Sequence, residues 1–239
     1  MVHPDRTGIT EALASAARTM RHETALEETL QAVVESACAS VPGFDAVGIS
    51  TIARDRTVTT QAASGDIVQI LDTLQYSLRE GPCVDALYEV DLLEVPHVRH
   101  DQRWPRYVPA AVEVGLRAQM ALKLYLDDQG TLGTMNFYST EAEEIHPDAG
   151  AIADLFAAHA AVVLGHAREQ QSLGEALATR QVIGQAVGIV MERYGLSDSR
   201  AFDFLVRTSS TSNIKLRVIA TELVREGDEP TSDAAAVTT

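Results

Sequence analysis

The stretch Ala118-Gln-Met-Ala-Leu-Lys-Leu-Tyr-Leu126, followed by Asp127-Asp128-Gln129-Gly130 and then by Leu132-Gly-Thr-Met-Asn-Phe-Tyr138, decides how most of this chain folds. Two extended runs, Ala118 to Leu126 and Leu132 to Tyr138, flank a four-residue turn signal and predict adjacent strands. Working back from them, Trp104 to Val114 is amphipathic at helical spacing and ends at Gly115, while Leu92 to Val98 is a short extended piece. Glu80-Gly81-Pro82-Cys83 is a turn whose proline suits the first turn of a short helix through Val84, Ala86 and Leu87. Ile67, Ile70, Leu71, Leu74 and Leu78 mark another helix, and Ala46 to Ile52 with Arg56 to Ala63 predict a hairpin turning at Arg54-Asp55. Two helical segments before it, joined near Arg21 to Glu23, run from Ile9 to Cys38 and stop at Val41-Pro42-Gly43. Strands interrupted by helices and bracketed by helices at both ends predict an α+β domain with an antiparallel sheet.

On the other side of the strand pair the pattern turns helical. From Pro147 onward Ile152, Phe156, His159, Val163, His166, Gln170, Leu173 and Leu177 step by fours and threes, the seam of a coiled coil, in a helix that continues toward Tyr194. Gly195 closes it. Ala201, Phe202, Leu205 and Val206 give a second apolar face, read as core, and Leu216, Ile219, Ala220 and Leu223 a third, so residues 177 to 225 form an all-α three-helix unit.

The 239 residues carry a net charge of −15 at a sequence pI near 4.8, which taken globally argues against a polyanionic partner. The charge is uneven. Residues 177 to 225 hold seven basic and four acidic residues, a balance of +3; the preceding residues stand at −14 and the following ones at −4. The two cysteines, Cys38 and Cys83, are no disulfide framework, and no basic leader with an apolar core opens the chain. No stretch is read as approaching a membrane span, so the expectation is a cytoplasmic protein.

The run Arg180-Gln-Val-Ile-Gly-Gln-Ala-Val-Gly-Ile-Val-Met-Glu-Arg193, then Ala201-Phe202 with Leu205, then Ser209-Ser210, then Asn213-Ile-Lys-Leu-Arg-Val-Ile-Ala220 resembles the ANTAR family of RNA-binding antitermination domains over about 45 residues. The resemblance implies a dimer that binds tandem RNA stem-loops and keeps a terminator hairpin from forming. Candidate RNA-binding residues are Arg180, Arg193, Lys215 and Arg217 for phosphates or base stacking, Asn213 as N-cap of the third helix, and Gln185 and Gly188 on a helix face open to close approach. Where the family often carries a basic residue this chain has Val187, which removes a phosphate contact. A DNA-binding helix-turn-helix is the rival, against which the Thr208 to Asn213 connection is longer than the usual turn.

Residues 24–168 resemble a GAF domain, on Gly81-Pro82-Cys83 with Ala86-Leu87, on Asp101-Gln-Arg-Trp-Pro-Arg-Tyr-Val-Pro109, and on Leu132-Gly133 followed by Asn136-Phe-Tyr-Ser139. The resemblance implies a small-molecule pocket on one face of the sheet, or a dimerisation role. Cys83, at a helix start, reads either as a reactive thiol of a redox enzyme or sensor or as a buried apolar side chain lining the pocket. His97 with His100, and His159 with His166, make no metal case, and with no P-loop, dinucleotide fingerprint or triad the expectation is a regulator without catalysis, cofactor or metal. The expected organisation is an N-terminal helix (1–23), a sensor domain (24–168), a helical RNA-binding domain (169–226) and a disordered acidic tail (227–239).

Overall fold

The computed structural model describes residues 26–53, 55–127 and 130–228. The helix expected over 1–23 and the tail from 229 onward lie outside the described residues, as do Arg54, Asp128 and Gln129 of the two turn signals. Two units divide between Ala167 and Arg168.

The first unit opens with α1 (Leu26–Ser40), which buries Leu30, Val33, Val34 and Ala37 at helical spacing. Its sheet has five antiparallel strands in the order β2-β1-β5-β4-β3: β1 (Ala46–Ile52), β2 (Val58–Ala63), β3 (Leu92–Val95), β4 (Ala118–Leu126) and β5 (Gly130–Ser139). Helices α2 (Asp66–Leu78), α3 (Pro82–Tyr88) and α4 (Tyr107–Glu113) lie between β2 and β4 in sequence. Strand β2 starts later than expected because Arg56 takes a left-handed backbone (φ 68°) that completes the hairpin turn, with its N–H donated to Ala53 O at 2.9 Å. Strand β3 stops at Val95 since the following Pro96 has no N–H for the ladder.

Alternation along the strands sorts the two faces. Val47, Ile49, Met120, Leu122, Met135 and Phe137 share one apolar core with α1 and with the beginning of α5 (Ala149–Tyr194). Ser50, Gln119, Thr134, Asn136 and Tyr138 point the other way and are all fully buried. From the first part of α5, Ala149, Ala153, Phe156, Ala157, Ala160, Ala161 and Leu164 are buried in this core, with Ile152 and Val163 packed against it, so small side chains make up most of the helix's contact with the sheet. Of that seam Phe156 alone is buried; His166, Gln170, Leu173 and Leu177 are exposed. One correction concerns membranes: by length and composition α5 is long and apolar enough to cross one, and 44% of its most apolar window is buried within the protein.

The second unit consists of the remainder of α5, α6 (Asp198–Ser212) and α7 (Leu216–Asp228). Ala186, Val187, Val190, Ala201, Leu205 and Ala220 form its core. Four expectations change. Phe202 is 42% exposed, because one residue after buried Ala201 the helix has turned by about 100° away from the core. Val187 is buried in the core, so a basic residue would not reach a phosphate from there. Thr208 to Ser212 continue α6, with Thr208, Ser210, Thr211 and Ser212 each donating a hydroxyl to a carbonyl one turn back. The connection shrinks to Asn213–Lys215, and the loop-length argument against a helix-turn-helix falls.

Asn213 is the fourth. It terminates α6 in a left-handed conformation (φ 56°) and does not cap α7, whose first amides, from Val218 and Ile219, reach the carbonyl of Lys215. Asparagine tolerates left-handed backbone better than other non-glycine residues. Asn213→Gly should therefore leave urea-unfolding stability unchanged or raised, while Asn213→Ser should lower it by about 1 kcal/mol. A side-chain N-cap would give a neutral serine variant instead.

Candidate functional site

The buried polar face of the sheet is roofed by α2 and α3, and their polar residues meet it. On α2, Asp72 accepts from Thr60 Oγ1 (2.6 Å), Ser50 Oγ (3.3 Å) and the Tyr138 hydroxyl. Tyr76, one turn on, shares a 2.5 Å hydrogen bond with Ser50 Oγ and a 3.2 Å one with Thr60 Oγ1. Gln75 donates to Tyr138 Oη (3.1 Å) and accepts both the Cys83 backbone N–H (2.9 Å) and Gln119 Nε2 (3.3 Å); Gln119 in turn accepts from the Tyr107 hydroxyl (2.7 Å). A chain of side chains thus runs from α4 across the sheet to β2. Gly81, at φ +129°, makes room for it, since a Cβ there would stand 2.5 Å from Gln75 Oε1.

Burial decides the charges. Asp72 is fully buried, and removal from water raises its pKa above the ordinary carboxylate value even though four hydroxyl groups (Thr60, Tyr138, Tyr76 and Ser50) pull it down. Tyr107 and Tyr138 are likewise raised by burial and stay neutral. Asn136 Oδ1 has no hydrogen-bond partner among the described residues, although its Nδ2 donates to Ser50 Oγ (3.2 Å) and Cys83 Sγ (3.3 Å).

Cys83 lies inside this cluster with no exposure, its Sγ 3.1 Å from Thr134 Oγ1. Burial, with the charge of Asp72 adding to it wherever that carboxyl ionises, pushes the thiol up to about 12. It is a protonated thiol at neutral pH, which fits the buried-side-chain reading and leaves the redox reading without its thiolate. The Asp101–Pro109 motif serves docking: Trp104 Nε1 donates to Asp85 (2.9 Å), the Arg103 guanidinium lies 4.3 Å over the Trp104 ring, and Arg106 pairs with Glu80 at 2.7 Å.

In the second unit all the residues expected to meet RNA, Arg180, Gln185, Gly188, Arg193, Asn213, Lys215 and Arg217, are exposed. Lys215 and Arg217 bracket the first residue of α7, and Arg193 sits in the last turn of α5. Arg180 is about 20 Å further back along α5 at the helical rise per residue. A Cβ on Gly188 would touch nothing, so that face is open. The sequence reading missed Tyr194 and Phe204, whose rings lie 5.6 Å apart and are 57% and 43% exposed. It also missed the Asp72 cluster. The available signal was polar residues recurring every second position in β5, Thr134, Asn136 and Tyr138. Among the described residues no three His, Cys, Asp or Glu side chains are grouped to hold a metal.

Comparison with known proteins gives a GAF domain match over residues 23–165 and an ANTAR domain match over residues 171–224. No curated protein matches the sequence. Among solved structures the chain is similar to the GAF domain of a phosphoenolpyruvate-protein phosphotransferase from Coxiella burnetii, at 17% identity and TM-score 0.56 over 71% of this chain and 99% of that one. It is also similar to the phycoerythrobilin-bound GAF domain from a cyanobacterial phytochrome (12% identity, TM-score 0.51, 72% of this chain and 100% of that one). A third is the chromophore-binding domain of a bacteriophytochrome from R. palustris (13% identity, TM-score 0.53); the match covers 70% of this chain and spans 64% of that one. At these identities the likeness is one of fold. With the GAF match alone covering more than half of its length, the chain belongs to the GAF and ANTAR domain-containing proteins, ligand-sensing regulators with an RNA-binding output domain.

Proposed function

We propose that this protein is a transcription antitermination regulator: the GAF unit senses a small molecule, and a dimer of the chain uses its ANTAR units to hold tandem RNA stem-loops so that a terminator hairpin does not form. The observation that carries the reading is the ANTAR match over residues 171–224, most of which lies in the window 177–225 where basic residues outnumber acidic ones in an otherwise acidic chain. The acidic remainder suppresses indiscriminate RNA binding and leaves attraction to that segment. Lys215 and Arg217 at the start of α7, with Arg193 and Arg180 on α5, supply phosphate contacts; Gln185 and Gly188 offer a face for close approach, and Asn213 positions the entry to α7. Exposed Leu173 and Leu177 support pairing of two copies along α5.

Gel-shift titration of the full chain against tandem stem-loop RNA and against duplex DNA tests this. Lys215→Ala and Arg217→Ala should each weaken RNA binding by about 1 kcal/mol, roughly fivefold, and flatten the slope of log affinity against log salt by about 0.7 to 0.9. Unchanged RNA affinity in both variants would overturn the contact assignment. Stronger binding to duplex DNA would favour the helix-turn-helix reading.

A further inference from the structure

An open cleft of about 690 Å³ lies in the first unit where the β1–β2 turn, the end of α2 and α3 come together. Among the described residues the cations lining it are Arg56 and Arg79, both exposed, and neither makes an ion pair with a described residue. Its apolar walls are Val84, Leu87 and the ring of Tyr88, and Tyr76 lines it as well. The Arg56 guanidinium lies 5.7 Å from the centre of the Tyr88 ring. A guanidinium that stacks on a ring keeps the N–H groups at its edge free for a carboxylate, sulfonate or phosphate.

The backbone points the same way. Among the described residues four non-glycine residues have positive φ, and two of them are these arginines, Arg56 at 68° and Arg79 at 54°. Each holds a left-handed conformation that glycine adopts more readily than arginine. At both positions glycine would make the same turn without that strain. Among the described lining residues Asp55 is the one carboxylate; it accepts the Thr57 N–H (3.0 Å), and that bond lowers its pKa. Among the described lining residues two positive charges stand against one negative charge, a local exception in an acidic molecule.

We infer that this cleft binds an organic anion with a planar apolar body, the acid group held between Arg56 and Arg79 and the body against Tyr88, Val84 and Leu87. The inference rests on the reading of the GAF unit as a sensor and names the chemical class of its ligand. Tyr76 links the cleft to the interior: it is one of the lining residues, and its hydroxyl bonds Ser50 and Thr60, which both bond Asp72. A ligand that displaces Tyr76 therefore disturbs the buried network across the sheet.

The test uses the full chain and two dyes of similar shape, anionic 1-anilinonaphthalene-8-sulfonate and neutral N-phenyl-1-naphthylamine. Arg56→Gly and Arg79→Gly remove the cations and relieve the strained backbone, so loss of binding in them is not loss of folding; thermal midpoints equal to or above the parent check this. The anionic dye should bind the parent saturably at one site per chain, each variant should raise its Kd about tenfold, and the neutral dye should bind all three proteins alike. No saturable binding of the anionic dye, equal affinity in parent and variants, or equal loss of both dyes would overturn the proposal. Gel shifts with and without the anionic dye separate the two readings. Binding that depends on the arginines but leaves RNA affinity unchanged retains the cleft and sinks the sensor reading; RNA binding with no dye binding sinks the cleft alone.

Discussion

Gly133→Ala should be among the most damaging single-methyl additions to the first unit. Gly133 lies in β5 at the middle of the sheet, facing Thr51 on β1 and Leu124 on β4. A Cβ built on it would stand 1.8 Å from the carbonyl oxygen of Ser50, 2.8 Å from its carbonyl carbon and 2.9 Å from Thr51 Cα. All three are backbone atoms of a paired strand, so no rotamer change relieves the overlap. The two central strands must separate, breaking ladder hydrogen bonds and opening the apolar core on one face and the polar cluster on the other. The expected loss is at least about 3 kcal/mol, on the order of 10 °C in thermal midpoint. Gly174→Ala is the control: it lies in α5 with nothing within 4 Å of an added Cβ, and alanine there should raise stability by up to about 1 kcal/mol. A Gly133→Ala protein that unfolds within a degree or two of the parent would mean that the strands are less closely paired than described.

Asp72 carries the second large effect. Asp72→Ala leaves the buried Tyr138 hydroxyl and the half-buried Thr60 hydroxyl without their acceptor and opens a small void, for an expected loss of about 3 kcal/mol. Asp72→Asn keeps the shape and one carbonyl oxygen and should cost about 1 kcal/mol. The pH dependence separates a neutral from an ionised carboxyl. Because burial raises the folded-state pKa above the 3.8 of an unperturbed aspartate, the folded protein holds a proton that the unfolded chain has released across the interval between the two values. That stabilisation is complete below pH 3.8 and is lost as pH rises toward the raised folded value. The parent should therefore lose ground to Asp72→Asn as pH rises from about 4, by at most about 1.4 kcal/mol per pH unit, with all other titrations common to both. Urea midpoints of the two proteins from pH 4 to 8 read this directly. A gap that widens in favour of the parent with rising pH would show a carboxylate stabilised by its hydroxyl donors, the reverse of this description.

The effects of Cys83 and Asp72 belong to one network, and energies measured for neighbours in it will not add. The same holds for Tyr76, whose position in both the cleft and the network makes it the residue through which occupancy of one can be felt in the other.

Local signals carried the architecture. Strand and helix patterns from Ala46 to Tyr138 were legible because alternation and turn chemistry act within a few residues, and the ANTAR and GAF motifs lie in contiguous sequence. Gly195 could be read as a helix end for the same reason. What needed three dimensions was everything that depends on which face a residue occupies. Phe202 and Val187 exchanged roles because a step of one residue on a helix separates core from solvent, and Asn213 changed from starting one helix to ending another because hydroxyl back-bonding carries α6 to Ser212. Asp72, Gln75, Cys83, Asn136 and Tyr138 are spread over 67 residues, and only the packing of α2 and α3 on the sheet joins them into one buried cluster. Their protonation could not be read from composition, since desolvation is a property of the folded neighbourhood. Arg56 and Arg79 lie 23 residues apart in the sequence, with no local pattern joining them. Folding sets them at one cleft, with the charge of Asp55 and the ring of Tyr88 beside them.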